Sequence, residues 1–117
     1  MLRPQVRSFA IVPLVSGFAL LLSSVGPPAA ATPKSATHTI VIDSLRFDPQ
    51  DLTVKAGDTI IWTNRDPFPH TATAEGKQFD SHAIEPGRSW TVTAKKAAVI
   101  SYGCTYHATM KGTLRVE

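Results

Sequence analysis

The chain has 117 residues, of which 43% are hydrophobic and one is cysteine, and its formal net charge is +3. It contains no run of basic residues, which argues against a nucleic-acid-binding protein. A chain of this length is enough for one small domain and no more.

The first 31 residues have the pattern of an export signal. Two arginines give a positive start, residues 9–22 form an apolar run, and small residues precede a cleavage point after Ala31. The run is shorter than the roughly 20 residues that span a membrane, so a cleaved signal is favoured over an uncleaved anchor, and membrane association is expected only for an anchor. We therefore predict a periplasmic protein in which residues 32–37 form a flexible tether and residues 38–117 form the domain.

Segments rich in β-branched and aromatic residues alternate with turn signals throughout the rest of the chain. The predicted strands are residues 38–43, 58–64, 88–94, 98–103 and 112–117. The turn signals are FDPQD at 47–51, KAGD at 55–58, RDPFP at 65–69 and IEPGR at 84–88. Strands at this spacing favour an antiparallel sandwich or barrel. The large aromatic residues are predicted to form its core: Phe47, Trp62, Phe79, Trp90 and Tyr102.

The only cysteine, Cys104, lies in the predicted connection between the last two strands. In an oxidising compartment a lone cysteine is buried and inert, cross-links two chains, or binds a metal as a thiolate. His107 and Met110 follow it at intervals of three residues, and His70 lies at the end of an earlier strand region, from which it can reach this connection. One thiolate, two imidazoles and a weak thioether are the ligands of blue-copper electron-transfer sites. The pattern therefore indicates a copper site.

Several motifs of the predicted domain occur in the order seen in a known family. FDPQDLTVKAGDTIIWTNRDPFPH ends at His70, and QFDS, PGRSWTVT and YGCTYHATMKGTLRVE follow. In this order the sequence resembles the cupredoxins, and most of all the group that contains amicyanin, pseudoazurin and plastocyanin. The resemblance implies a Greek-key β-sandwich of about seven to eight strands. It also implies one type 1 copper ion bound by His70, Cys104, His107 and Met110.

The resemblance further implies an electron carrier and not an enzyme. In this family the histidine of the ligand loop usually presents its outer edge to solvent within an apolar patch. Around His107 that patch would contain Pro67, Phe68, Pro69 and Tyr106. A small apolar patch suits brief contacts with redox proteins. The protein is expected to be a monomer, because the sequence has no long apolar surface run.

Positions beside the ligands extend this interpretation. Many family members have an asparagine directly after the first histidine ligand, where it ties the two ligand loops together, and this chain has Thr71. The backbone N–H of Thr71 can still donate to the thiolate, which leaves the side-chain tie open. Asn64 is predicted to shape the turn before His70. His38 and His82 match no ligand position and are predicted to lie on the surface.

A copper-binding or copper-delivery protein is the alternative function. It would use similar soft ligands, but in an open site with exchangeable copper. Such carriers often have clusters of Met or His, and this chain has two methionines, one of which is Met1. An enzyme with a Cys–His nucleophile would need a substrate cleft and a third, orienting group. A small β-domain offers little room for them, so an enzyme is not expected.

Overall fold

The computed structural model describes residues 34–117 and, before them, residues 4, 10, 11, 13, 14, 17 and 19–26. The chain divides into two units, Met1–Ala31 and Thr32–Glu117. The described residues of the first unit contain no helix or strand. Nowhere in the described part of the chain is there a helix long and apolar enough to cross a membrane. The predicted cleavage point after Ala31 and the tether residues 32–33 lie outside the described residues, so the export signal stays a prediction.

The second unit is a β-sandwich of two four-stranded sheets. Its strands are β1 (Thr37–Asp43), β2 (Arg46–Asp48), β3 (Asp51–Val54), β4 (Thr59–Asn64), β5 (Thr73–Ala74), β6 (Ser89–Thr93), β7 (Ala98–Gly103) and β8 (Lys111–Val116). The strand order is β2-β1-β4-β6 in one sheet and β3-β8-β7-β5 in the other. The predicted all-β class and the number of strands are confirmed.

Two strand pairs are parallel, so the expectation of an antiparallel sandwich is wrong in this respect. β1 pairs with β4, and β3 pairs with β8, in parallel register, whereas the other four pairs are antiparallel. The reason lies in the connections. After β2 the chain leaves the first sheet, adds β3 to the second, and returns as β4, and such crossovers join parallel strands where tight hairpins cannot.

The five predicted strands agree with β1, β4, β6, β7 and β8 to within one residue at each end. The sequence does not predict β2, β3 or β5, which have only two to four residues each. β1 begins at Thr37, inside the predicted tether, and the backbone N–H of Ala36 donates to Asp58 Oδ1 at 2.9 Å. A buried carboxylate therefore holds the chain immediately before the first strand.

Asp58 also explains why His38 is less exposed than predicted. His38 Nε2 lies 2.9 Å from Asp58 Oδ2, and the histidine side chain is 27% exposed. The N–H of Lys55 donates to the same carboxylate oxygen at 3.0 Å. The hydrogen bond from Ala36, reinforced by the other two, lowers the pKa of Asp58 to about 2. The other histidine outside the predicted ligand set, His82, has a side chain that is 86% exposed, as predicted.

The core fills the space between the sheets with alternate residues of the central strands. The buried aromatic residues are those predicted, Phe47, Trp62, Phe79 and Tyr102, with Trp90 half-buried against them. The rings of Trp62 and Tyr102 meet nearly at right angles, 5.5 Å apart. A Cβ on Gly112 would lie 2.4 Å from the Tyr102 ring, so glycine makes room for it on the neighbouring strand. This packing fixes the end of β7, from which the cysteine loop starts.

Candidate metal centre

The connection between β7 and β8 is a tight loop that carries three of the four predicted ligands. The N–H of Met110 donates to the carbonyl of His107 at 3.0 Å, and the N–H of Cys104 donates to the carbonyl of Met110 at 3.2 Å. A Cβ on Gly103 would lie 2.8 Å from the Met110 carbonyl oxygen, so a glycine there permits the loop to close. The two ends of the loop are thereby held together, and its side chains have little freedom.

The fourth predicted ligand, His70, is positioned by the connection that follows β4. Asn64 is fully buried, and its Nδ2 donates to the carbonyls of Phe68 and Ile84, both at 2.9 Å. Its Oδ1 accepts the N–H of Asp66 at 2.9 Å. Every polar group of this amide is used, and the prediction that Asn64 shapes the turn is confirmed. His70 then exchanges two backbone hydrogen bonds with Ile84.

The two connections bring His70, Cys104 and His107 together, with their potential ligand atoms all within 4.8 Å of one another. Cys104 Sγ lies 3.7 Å from His70 Nδ1 and 3.8 Å from His107 Nδ1. A metal–sulfur bond of about 2.3 Å and a metal–nitrogen bond of about 2.0 Å, as in zinc sites, separate their donor atoms by roughly 3.7 Å when they meet at about 120°. The spacing therefore fits one metal ion, and a thiolate with two imidazoles suits copper.

Asp66 fixes which nitrogen of His70 faces the sulfur. His70 Nε2 lies 2.7 Å from Asp66 Oδ2, and both side chains are buried. The N–H groups of Ser44 and Leu45 donate to the same carboxylate at 2.7 and 3.0 Å. Burial alone would raise the pKa of Asp66, but these hydrogen bonds and that of His70 outweigh it and lower the pKa. The ionised carboxylate accepts the Nε2 proton, which leaves the Nδ1 lone pair free for a metal.

The sequence does not identify Asp66 as part of the site. It occurs there only within the turn signal RDPFP. A carboxylate four residues before a ligand histidine is a usable indication, because metal-bound histidines almost always donate their second N–H to such a group or to a carbonyl. The contact depends on how the turn folds back, and that is visible only in three dimensions.

Thr71 ties the two ligand connections together, which the sequence left open. Its N–H points at Cys104 Sγ, with 3.4 Å between nitrogen and sulfur, as expected. Its Oγ1 accepts the backbone N–H of Thr105 at 2.9 Å and a hydrogen bond from Thr73 Oγ1 at 3.0 Å. A threonine hydroxyl therefore provides a tie at the position where many family members have an asparagine.

The exposure of the three clustered residues is uneven. His70 is fully buried and Cys104 is 6% exposed, whereas His107 is only half-buried. Of the residues predicted to frame it, Pro67, Phe68 and Tyr106 are exposed and Pro69 is half-buried. The Phe68 ring lies 5.9 Å from the His107 ring, centroid to centroid. A partly exposed imidazole thus lies beside apolar side chains that reach solvent.

Met110 is 2% exposed and lines, together with Cys104, a cavity of about 640 Å³ beside β5 and β7. Its backbone closes the ligand loop. The geometric cluster consists of the two histidines and the cysteine, and the assignment of Met110 as the axial ligand stays a prediction.

Comparisons with known proteins agree with this site. Residues 35–117 match the family of copper-binding proteins described as plastocyanin/azurin. The chloroplastic plastocyanin of Tetradesmus obliquus is 32% identical over 116 residues, which cover 88% of this chain and 75% of that protein. Amicyanin of Paracoccus versutus is 25% identical over 126 residues, covering 99% and 96%. A solved structure of an oxidized amicyanin variant superimposes with a TM-score of 0.65 and 27% identity, over 69% of this chain and 82% of that one. The chain therefore belongs to the plastocyanin/azurin family of copper-binding proteins, and copper is the metal of its candidate site.

Proposed function

We propose that this protein carries single electrons between redox partners as a small exported type 1 copper protein. The ligands of its one copper ion are His70, Cys104, His107 and Met110. The observation that carries the proposal is the convergence of Cys104 Sγ with the Nδ1 atoms of two histidines at 3.7 and 3.8 Å. Copper bound there supplies one-electron chemistry by alternating between Cu(I) and Cu(II).

The role of the protein is to hold the donor atoms in one arrangement that suits both Cu(I) and Cu(II). Asp66 holds the His70 ring, and Thr71 joins the two connections. The N–H of Thr71 also points at the Cys104 sulfur, where it stabilises negative charge on the thiolate. Because these contacts lie outside the donor set, they persist while the charge on the metal changes.

The alternative is an enzyme with a nucleophilic triad. Cys104 Sγ contacts His70, and His70 contacts the Asp66 carboxylate, which is the arrangement of thiol, base and carboxylate in such a triad. Two features favour the metal site. His107 Nδ1 approaches the sulfur as closely as His70 Nδ1 does, and a triad has no use for a second imidazole. In addition, His70 is fully buried, so a substrate cannot reach the base. The same burial disfavours a delivery protein, whose copper must leave readily.

Electrons enter and leave through His107 in this proposal. Its half-buried ring is the part of the donor cluster nearest to solvent, and exposed Phe68 and Tyr106 lie in the surrounding patch. A small apolar patch permits a short approach without a long-lived complex. The partners are redox proteins that dock on this patch, and the carrier is a monomer.

Export to the periplasm completes the proposal. The positive start, the short apolar run and the small residues before Ala31 support a cleaved signal. In that compartment a metal-bound thiolate also explains why the protein keeps a single cysteine.

The decisive experiment is the visible and EPR spectrum of the purified protein with Cu(II), compared with Cys104→Ser and with His82→Ala as a matched histidine control. We expect an intense blue band and a narrow copper hyperfine splitting that Cys104→Ser abolishes and His82→Ala retains, with reversible bleaching by a reductant. A pale spectrum that Cys104→Ser leaves unchanged would refute the proposal and direct attention to copper delivery.

A further inference from the structure

A second cavity, of about 510 Å³, lies where the ends of β6 and β7 face each other across the sandwich. Its floor is the edge of the core, formed by Ile100, Leu114 and Val116, which are all less than 10% exposed. Among the described residues, Phe79 alone lines both this cavity and the one beside Cys104. The cavity is thus distinct from the metal centre, and its volume lies in the usual range for small-molecule sites.

The charged residues of its wall have one sign. Lys95 and Lys96, in the turn between β6 and β7, are exposed and line the cavity. None of the described residues that line it is Asp or Glu, and its uncharged polar wall residues are Gln78 and Thr93. The cavity therefore combines an apolar interior with a cationic rim. Such a site is complementary to a ligand that has an apolar body and an anionic end.

We propose that this cavity binds a free single-chain amphiphile with an anionic head, of the class of fatty acids. The acyl chain lies between the ends of β6 and β7, against the half-buried Val92 and Ala98, and the carboxylate lies near Lys95 and Lys96. The position of these half-buried walls between two strand ends favours a single acyl chain over a bilayer surface, because a flat membrane would contact only the exposed rim. This inference does not depend on the function proposed for the copper site.

The test is a titration of the copper-loaded protein with dodecanoate below its micelle concentration, followed by calorimetry and by amide NMR shifts. We expect shifts centred on residues 92–100. Burial of one methylene contributes about 0.8 kcal/mol to binding. Decanoate is shorter than dodecanoate by two methylenes, so it should bind about 15-fold more weakly. Dodecyltrimethylammonium, with the same chain and the opposite charge, should bind more weakly than dodecanoate.

Variants locate the two ends of the ligand. Lys95→Gln with Lys96→Gln should weaken dodecanoate binding up to about tenfold, and less at high salt, whereas Lys55→Gln at another exposed site should not. Ala98→Leu fills the cavity from a half-buried wall position and should abolish binding while the copper spectrum stays unchanged. Should Ala98→Leu fail to fold, the lysine pair and the chain-length series still decide.

Three outcomes would overturn the inference. The first is equal binding of the anionic and cationic amphiphiles, and the second is NMR shifts centred away from residues 92–100. The third is binding to phosphatidylglycerol vesicles without binding of monomeric dodecanoate, which would indicate a membrane surface instead.

Discussion

Asp66→Asn should weaken both the fold and copper binding, because the Asp66 carboxylate joins a strained turn to the candidate ligand His70. Its Oδ1 accepts the N–H of Ser44, and its Oδ2 accepts the N–H of Leu45 and the Nε2 proton of His70. Ser44 and Leu45 have φ values of 53° and 60°, which non-glycine residues adopt only when their surroundings hold them there. One carboxylate therefore stabilises the turn between β1 and β2 and orients the buried imidazole.

The size of the effect follows from the number of acceptors. An amide has one acceptor oxygen where the carboxylate has two. In its better orientation the substituted amide would keep its oxygen towards Leu45 and His70, and its NH₂ group would face the N–H of Ser44. A hydrogen bond to a charged group contributes about 1.5–3 kcal/mol, so we expect the free energy of unfolding to fall by about 2 kcal/mol. Loss of such a histidine partner typically reduces metal affinity by about 10- to 100-fold.

Urea unfolding of the metal-free protein measures the first effect, and competition with a Cu(I) chelator measures the second. Asp43→Asn is the matched control, because Asp43 is exposed and its side chain accepts a hydrogen bond from the hydroxyl of Ser44, at 3.2 Å, and none from the backbone of the described residues of this turn. We expect this control to change stability by no more than about 0.5 kcal/mol. If Asp66→Asn and Asp43→Asn were indistinguishable in both assays, the role assigned to the Asp66 carboxylate would be wrong.

Three further predictions concern the tie between the loops, the pH dependence and the core. Thr71→Val should lower the free energy of unfolding by about 1–3 kcal/mol, because the N–H of Thr105 loses its acceptor, and it should shift the copper reduction potential measured by voltammetry. Asp58 has its pKa lowered to about 2 from 3.8, so its contribution to stability is complete above about pH 5 and is lost as the pH falls through about 2. Urea midpoints measured across this range should show the loss, and Asp58→Asn should flatten it. Gly112→Ala should destabilise the protein by about 1–3 kcal/mol in thermal unfolding, since the new methyl group collides with the Tyr102 ring.

The long strands could be predicted because each is rich in β-branched and aromatic residues and is bounded by turn signals. β4 is an example: Ile60, Ile61 and Trp62 are consecutive apolar residues, and only the structure shows that Ile60 and Trp62 are buried while Ile61 is half-buried. β2, β3 and β5 are too short to show a period. The parallel pairs could not be predicted, because nothing local in β1 records that the chain changes sheets before it returns as β4.

The ligand candidates could be predicted because their chemical types and spacing are rare in combination, and the structure brings three of them together. The residues that position these candidates could not be predicted from the sequence. Asp66 contacts residues of the β1–β2 turn that lie 21 and 22 positions earlier, and Thr71 contacts Thr105 at a separation of 34. Serine, threonine and aspartate are common in turns for other reasons, so their identity alone does not reveal such contacts.

These contacts bear on how a loop-borne site can be rigid. Loops are usually the mobile parts of a domain, yet both ligand connections here are fastened by side chains that leave few of their polar groups unused. Asn64 holds the first connection from within, and Thr71 links it to the second. Hydrogen bonds among protein groups thereby restrict the positions of the candidate donors, and with them the geometry that a bound metal can adopt. Electron transfer with little rearrangement needs such a restriction, and for this reason the polar residues behind the candidate donors, as much as the donors, should determine how well the protein performs the electron transfer proposed for it.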